Sequence, residues 1–133
     1  CEHEFRMRHA RGVRIDDRVD IGAQACICRG MLSHTTIGAD ARIGSLVYVS
    51  HGVDIGARAW LSAGTAIAGH ATIGAGALLG IGSVVVDNVE LEPGVCSGGG
   101  SVVTRHARAG ARLQGVPAHE VPAMRRFGPT PRD

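Results

Sequence analysis

The sequence predicts an all-β fold in which short strands coil into a three-sided parallel β-helix. The first observation is an aliphatic residue at every sixth position over much of the chain. The second is a small or β-branched residue two positions before each of these, often with a glycine directly after. The third is the composition, since 20 glycines stand beside one Trp, one Tyr and two Phe in 133 residues. A core with so few rings needs many similar aliphatic contacts, which is typical of repeat architectures.

The six-residue period fits neither the 3.6-residue turn of an α-helix nor the two-residue alternation of a simple strand. It fits a short strand followed by a tight turn. Three such units close an eighteen-residue coil, and successive coils stack about 4.8 Å apart by parallel strand pairing. The expected inward anchors are Ile37, Ile43, Val49, Ile55, Leu61, Ile67, Ile73, Leu79, Val85 and Leu91, continuing through Ser97 to Val103.

Three segments follow from this register. Residues 1–11 form an N-terminal cap or edge, rich in Arg, that either covers the first coil or contacts phosphate. Residues 12–109 form the β-helix, about five coils, and a ten-residue step from Ile27 to Ile37 makes residues 28–34 a protruding loop. The register weakens after Val103, so residues 110–133 are expected to be an irregular C-terminal tail.

Charge and hydropathy exclude two classes of partner. The net charge of +2 is too small to indicate a nucleic-acid interface, and no window approaches eighteen apolar residues, so we expect no membrane span. The four cysteines (Cys1, Cys26, Cys28 and Cys96) lack zinc-site spacing and are expected to be reduced thiols of a cytoplasmic protein. Because the chain begins at Cys1 without Met, we expect it to be part of a longer protein.

A filled prism has no internal pocket, so a site is expected on its outside, in clefts between subunits. His51 follows the anchor Val49 by two residues, which places it just past a corner and directed outward. Gly69 lies one coil further on, where its N–H can act as an oxyanion donor, and Asp87 follows another coil along, too far to touch His51. A second column with the same spacing can hold polar groups of a substrate, or a metal; its members are His34, Gly52, His70, Asn88 and His106.

The motifs resemble two families of acyltransferases that act on sugars. Residues 47–117 resemble the C-terminal half of the sialic-acid and bacillosamine acetyltransferases, through the segments 50–56, 80–85, 97–104 and 115–118. Residues 12–38 resemble the UDP-3-O-acyl-glucosamine N-acyltransferases of lipid A synthesis, which carry Ala-His-Asn-Val where residues 50–53 stand here. The usual crossover rule favours a right-handed coil, whereas this resemblance implies a left-handed parallel β-helix.

The resemblance also implies roles for individual residues. His51 matches a catalytic base and Gly69 an oxyanion donor, while Asp54 is a candidate partner for the imidazole. Two positions depart from the families, because Gly52 stands where an acidic residue often follows the base and Asn88 where a second active-site His is found. The substrate-binding candidates are His34, His70 and Asn88, and those for the acyl donor are Gly69, Gly80, Gly82, Gly98, Gly99, Gly100, Gly115 and Pro117.

The function predicted from these residues is acyl transfer by a homotrimer. An acetyl group moves from acetyl-CoA to an amine or hydroxyl of a sugar or nucleotide sugar, by direct attack and without a metal. One alternative is an N-acyltransferase of lipid A synthesis that uses acyl carrier protein as donor. Two alternatives of other classes are a zinc-dependent, carbonic-anhydrase-like β-helix and a non-catalytic scaffold.

Overall fold

The structure is a computed structural model that describes residues 10–122. This part of the chain forms no helix. It therefore contains no helix that is long and apolar enough to cross a membrane. The strands are β1 (Val13–Ile15), β2 (Asp20–Ile21), β3 (Cys26–Ile27), β4 (Thr35–Ile37), β5 (Arg42–Ile43), β6 (Tyr48–Val49), β7 (Asp54–Ile55), β8 (Trp60–Leu61), β9 (Ala66–Ile67), β10 (Thr72–Ile73), β11 (Leu78–Leu79), β12 (Val84–Val85), β13 (Glu90–Leu91), β14 (Cys96–Ser97), β15 (Val102–Val103), β16 (Arg112–Gln114) and β17 (His119–Glu120).

The strands form three sheets, one for each side of the coil. Sheet A has the order β1-β4-β7-β10-β13, sheet C the order β3-β6-β9-β12-β15, and sheet B runs from β2 through β5, β8, β11, β14 and β16 to β17. Between regular coils each strand pairs in parallel with the strand eighteen residues further on, as Thr72 does with Glu90. The chain is a left-handed β-helix of about six turns, which confirms the predicted fold class.

The core is the column of anchors that the six-residue period predicts. Every anchor from Ile37 to Leu91 is buried, and the two continuations, Ser97 and Val103, are buried as well. The small residues two positions earlier, Thr35 to Ser101, are also all buried. Each aliphatic anchor contributes about 1.5–3 kcal/mol by leaving water, against the entropy of ordering its six residues. Stability therefore accumulates coil by coil, as in other solenoids.

Several hydroxyl groups inside the prism bond to the backbone of the turns, although the buried Ser101 hydroxyl has no partner among the described residues. The Thr65 hydroxyl donates to the carbonyl of Ser62 at 2.6 Å, and the Ser83 hydroxyl donates to the carbonyl of Gly80 at 2.7 Å. The hydroxyls of Ser83 and Ser97 lie 2.9 Å apart. These bonds remove most of the cost of burying a polar group, so a small hydroxyl can replace an aliphatic side chain at a corner.

The first coil follows the register but is not covered on both sides. Ile15 and Ile21 are 48% and 43% exposed, although each pairs in register with an anchor of the next coil. They lie at the end of the described rod, where only one neighbouring coil packs against them. Of the predicted cap, residues 1–9 lie outside the described residues.

Two departures from the eighteen-residue step shape the ends of the rod. Residues 28–34 form the predicted loop, and β1 consequently pairs with β4 at an offset of twenty-two residues. Near the C-terminus β14 pairs with β16 at an offset of sixteen, and β17 adds antiparallel to β16. Residues 112–120, which we expected to be irregular, therefore extend sheet B.

Candidate active site

The histidines and their partners lie along one corner of the prism. We call this the C–A corner; it comprises the turns that connect strands of sheet C to strands of sheet A, at residues 28–34, 50–53, 68–71 and 86–89. Because the turns stack at a constant interval, His51, Gly69 and Asp87 occupy equivalent positions in three successive coils. The predicted juxtaposition of positions 51 and 69 on one edge is present.

His51 lies directly over Gly69. A β-carbon built on Gly69 would be 2.6 Å from Cε1 of the His51 ring, closer than any real contact of this kind. The neighbouring residues hold the two turns together, because the His70 N–H donates to the His51 carbonyl and the Asn88 N–H to the Gly69 carbonyl, both at 3.0 Å. Only glycine leaves space for the imidazole at this position.

The buried nitrogen of the His51 imidazole, Nδ1, has no hydrogen-bond partner among the described residues. Asp54, the candidate partner from the sequence, lies on sheet A and accepts a hydrogen bond from the Thr36 hydroxyl instead. Within the described residues the only ion pair joins Arg18 and Asp40, so no carboxylate is paired with His51.

His70 packs against His51 edge to face. The ring centroids are 5.0 Å apart with an interplanar angle of 67°, a favourable arrangement for two rings. The His70 ring also fills the space beside Gly52, where a β-carbon would lie 2.6 Å from His70 Nδ1 and where φ is +68°. Gly52 departs from the acidic residue of the resembling acetyltransferases, and here the ring of His70 occupies the space that such a side chain would enter.

Asp87 contacts the site in a way that sequence reasoning missed. Its Oδ1 accepts a hydrogen bond from the N–H of Gly69 at 2.9 Å. Eighteen-residue spacing from Gly69 places Asp87 in the same column, but the register alone does not say whether the side chain turns back toward the previous coil. The backbone N–H predicted as an oxyanion donor is thus held by a carboxylate in this structure.

The three substrate-binding candidates share the C–A corner, whereas the last member of their column does not. His34 ends the protruding loop and accepts a hydrogen bond from the Gly12 N–H at 3.2 Å; Asn88 is exposed. His106 was expected beside Asn88, but its Nδ1 accepts from the Glu90 N–H at 2.8 Å. Ala107 pairs with Leu91 at an offset of sixteen residues instead of eighteen. The chain is therefore two residues out of the regular step, and His106 does not stack on Asn88. Among the described residues no three His, Cys, Asp or Glu side chains group as metal ligands would.

The glycines predicted to bind the acyl donor, apart from Gly69, lie on a different corner. They follow strands of sheet B and precede strands of sheet C, at what we call the B–C corner, the turns at residues 22–25, 44–47, 62–65, 80–83 and 98–101. Gly115 and Pro117 continue this corner beyond the last coil, since the Val102 N–H donates to the Gly115 carbonyl at 3.0 Å. Within a single chain, the width of sheet C therefore separates these glycines from His51.

Not all of these glycines leave space for a ligand. A β-carbon on Gly80 would be 2.6 Å from the N of Gly99, so Gly80 is required by the stacking of coils. Around Gly82 and Gly100, by contrast, a β-carbon would meet nothing within 4 Å. Gly98 borders a surface cavity of about 340 Å³ that is lined also by Leu78, Cys96, Arg112 and Val121.

Comparison with known proteins finds acyltransferases in both sequence and structure. A UDP-3-O-acylglucosamine N-acyltransferase of Caulobacter vibrioides is 44% identical over 57 residues, which are 43% of this chain and 17% of that protein. A second protein of that name, from Legionella pneumophila strain Paris, is 41% identical over 69 residues, 52% of this chain and 20% of its own length. A solved perosamine N-acetyltransferase variant from Caulobacter crescentus, in complex with CoA and GDP-perosamine, matches with a TM-score of 0.66 and 26% identity over 84% of this chain and 54% of that one.

The chain is thus similar, over part of its length, to acyltransferases that act on sugars. No protein-family profile matches it. A UDP-N-acetylglucosamine O-acyltransferase of Moraxella catarrhalis shares the fold, with a TM-score of 0.83 at 24% identity over 90% of this chain and 48% of that one. The chain spans about half the length of these two solved structures, and a fifth or less of the curated relatives.

Within residues 10–122, one side of the rod carries no charged residue. The outward residues of sheet C, listed from the N-terminal coil, are Cys26, Tyr48, Ala66, Val84 and Val102. The adjoining B–C corner is uncharged as well and exposes Leu46 and Ile81, at 61% and 66%. Sheets A and B, by contrast, carry outward Arg, Asp or Glu residues. An apolar side of this kind is typical of a protein interface.

Three cysteines in the described chain are free thiols, namely Cys26, Cys28 and Cys96. The Cys28 thiol donates to the Tyr48 hydroxyl at 3.6 Å. Charge repulsion from Cys28, with smaller contributions from burial and a hydrogen bond to the same residue, raises the pKa of the Cys26 thiol. Raised pKa values keep a thiol protonated and poorly reactive at neutral pH.

Proposed function

We propose that this chain is the catalytic β-helix of an acyltransferase that moves an acetyl group from acetyl-CoA to an amine or hydroxyl of a sugar or nucleotide sugar. The observation that carries the proposal is the imidazole of His51 lying over the bare backbone of Gly69 on the outside of the rod. A base beside an unsubstituted amide is what direct transfer from a thioester needs. The named relatives and the CoA complex of a structural neighbour support the same chemistry.

In the proposed reaction His51 removes a proton from the sugar nitrogen or oxygen as that atom attacks the thioester carbonyl. The C–S bond then breaks, the acyl group remains on the sugar, and the thiolate of coenzyme A receives the proton. General base assistance of this kind typically gives about 10²–10⁴-fold in rate. The Gly69 N–H would stabilise the tetrahedral oxyanion, an effect worth about 10²–10³-fold for a single donor. The thioester is already activated, so the cysteines take no part.

The donor is proposed to lie in a groove that two chains form together. His51 and the open glycines Gly82, Gly98 and Gly100 lie on different corners of one prism. A neighbouring copy that places its B–C corner against the C–A corner of the first would bring a base and a glycine groove together. The pantetheine arm would then follow the glycines, while Gly115 and Pro117 cover the nucleotide end.

This arrangement is a homotrimer, in which each prism presents one corner to each of its two neighbours. Contact between two different surfaces closes a ring when the rotation between copies is a third of a turn. The uncharged sheet C and the exposed Leu46, Tyr48 and Ile81 are the apolar surface available for it. The buried Nδ1 of His51 has no hydrogen-bond partner within residues 10–122, and we propose that the neighbouring copy supplies one.

The acceptor sugar is proposed to bind along the C–A corner. His34 lies one coil before His51, and His70 and Asn88 lie one and two coils after it. The loop at residues 28–34 borders the same corner, and a β-carbon on Gly52 would be 3.2 Å from its Ser33 Oγ. A sugar hydroxyl or amine that enters beside this loop would be held within reach of the base.

A second candidate is transfer from an acyl carrier protein rather than from coenzyme A. It is favoured by the 44% identity to a UDP-3-O-acylglucosamine N-acyltransferase, although that match covers 43% of the chain. Asn88, at the position of a second His in the resembling N-acyltransferases, favours acetyl-CoA.

One experiment tests the function and separates the donors. The chain is incubated with a panel of nucleotide sugars and either acetyl-CoA or a long-chain acyl carrier protein, and products are identified by mass spectrometry. We expect a mass increase of one acetyl group on at least one sugar, with acetyl-CoA only. Transfer from the carrier protein alone would select the second candidate. No product with either donor would contradict acyl transfer by this chain.

A further inference from the structure

In the three regular turns of the C–A corner, at residues 50–53, 68–71 and 86–89, the second N–H is free of the backbone ladder. Among the described residues, the amides of His51, Gly69 and Asp87 donate to no backbone carbonyl, whereas the next residue in each turn does so or donates to a side chain. Such amides are free to donate to an oxygen atom that is not part of the backbone ladder. At Gly69 that oxygen atom is Oδ1 of Asp87, at 2.9 Å.

A carboxylate and a thioester carbonyl cannot both use this donor. One N–H makes one strong hydrogen bond, and the negative charge that develops on the carbonyl oxygen would be repelled by a carboxylate at the same place. Asp87 is exposed, and its other carboxylate oxygen has no partner within residues 10–122. The side chain can therefore rotate into water when a ligand carbonyl arrives.

We infer that Asp87 is a positioning residue that competes with the acyl carbonyl for the Gly69 amide and thereby sets the affinity of the site for acylated donors. The inference rests on the proposed function, since it takes Gly69 as the amide that receives the thioester carbonyl. Free coenzyme A has no such carbonyl, so its binding leaves the contact between Asp87 and Gly69 intact. Asp87 thus distinguishes the acylated from the free form of the donor.

The expected size of the effect follows from the competition. Apparent affinity is reduced by the fraction of molecules in which the site is competent, so a contact formed nine times in ten weakens acyl-donor binding roughly tenfold. If the carboxylate is removed, acetyl-CoA should regain this roughly tenfold loss of affinity. The affinity for coenzyme A should not change.

Calorimetric titration of the full chain with each ligand tests the inference. For Asp87→Ala we expect acetyl-CoA to bind about tenfold more tightly than to the original chain, with coenzyme A unchanged within about twofold. Asp87→Asn keeps an acceptor without the charge and should fall between the two. Circular dichroism confirms that each variant is folded.

Glu92→Ala is the matched control. Glu92 Oε2 accepts from the Ala109 N–H at 2.8 Å, the same kind of contact on a different corner, away from His51. We expect neither ligand to change affinity there. Equal effects of Asp87→Ala on both ligands, no effect, or weaker binding of acetyl-CoA would overturn the inference and leave the proposed function standing. If neither ligand binds the original chain or Asp87→Ala, both proposals are wrong.

Discussion

The ring of His51 lies over the α-carbon of Gly69, close enough that a β-carbon there would be 2.6 Å from Cε1. The two residues are separated by one full coil of the chain, so the contact is a product of the three-sided winding rather than of local sequence. The winding of the chain therefore sets the geometry of the site, in which the His51 imidazole lies beside the backbone of Gly69.

Replacement of His51 by alanine should abolish most of the transfer. The imidazole points outward and belongs to no core cluster, so we expect an unchanged fold and assembly but turnover lower by about 10²–10⁴-fold. Steady-state kinetics on the product identified above measure this. His106→Ala removes a histidine that lies beside Glu90 and should retain activity. Near-normal turnover of His51→Ala would remove this residue from the mechanism.

A methyl group at position 69 should impair the site without straining the backbone. Gly69 does not have a positive φ, so the penalty of Gly69→Ala comes from the collision with His51. The imidazole must move, and we expect kcat to fall at least about tenfold, because small misplacements of a catalytic group cost that much or more. The control is Gly12→Ala, where the nearest atom is His34 Nδ1 at an ordinary 3.8 Å. Equal activity of the two variants would contradict the proposed role of the contact.

Neighbouring leucines on one strand provide a test of the core. Leu79 is fully buried while Leu78 is 41% exposed on the outside of the same strand. We expect Leu79→Ala to lower the free energy of unfolding by about 2–5 kcal/mol, through lost transfer energy and a cavity, and Leu78→Ala by about 0.5–1 kcal/mol. Urea denaturation measures both. Similar losses for the two variants would mean that the assigned inward register is incorrect.

A charge on sheet C should disrupt the proposed trimer. Ala66 lies outward and half-buried on sheet C, so Ala66→Arg would bury an unpaired cation at the interface. We expect light scattering to report a monomer for this variant and a trimer for the original chain. Thr72→Arg is the control, since it places the same charge on sheet A between Asp54 and Glu90. A monomeric original chain, or a trimeric Ala66→Arg, would contradict the interface.

The ion pair of the N-terminal coils predicts a pH dependence. Arg18 donates to Asp40 at 2.7 and 3.0 Å, and this hydrogen bonding lowers the pKa of the Asp40 carboxyl. A carboxyl whose pKa is lower in the folded than in the unfolded state stabilises the fold. This stabilisation is fully present above the unfolded pKa, about 3.9 for Asp, and is lost as the pH falls through the folded pKa. Urea midpoints of Asp40→Asn and the original chain should therefore differ at pH 7 and converge at low pH. The difference should be small and decrease with salt, because the pair is exposed.

The register of the fold could be predicted from sequence because each anchor repeats the same physical demand. Ile37 and Leu91 are separated by nine repeats of six residues, and both are buried as expected. The same arithmetic placed His51 beside Gly69. It did not predict that β16 would extend sheet B, because removal of two residues between Leu91 and Ala107 shifts the phase. With this shift Ala107 and Leu113 are the buried anchors, whereas Ala109, where the uninterrupted period places an anchor, is exposed.

The contacts of side chains across coils could not be predicted in this way. Asp87 and Asp54 both lie near His51 in the sequence register, yet one bonds the Gly69 amide and the other a threonine on sheet A. Which acceptor a short carboxylate chooses depends on the direction of its side chain and on donors in the neighbouring coil. The division of the site between two corners was also not apparent, because a period of eighteen identifies residues that share a corner but not which corners a second chain brings together.

The antiparallel pairing of β17 with β16 has a consequence for solubility. Stacked parallel strands end in a row of unpaired donors and acceptors, and a rod of this kind can grow by adding another copy end to end. β17 occupies that edge of sheet B with a strand that runs in the opposite direction. A copy arriving with the parallel register of the repeat finds no matching edge on this sheet, so β17 hinders end-to-end stacking through sheet B.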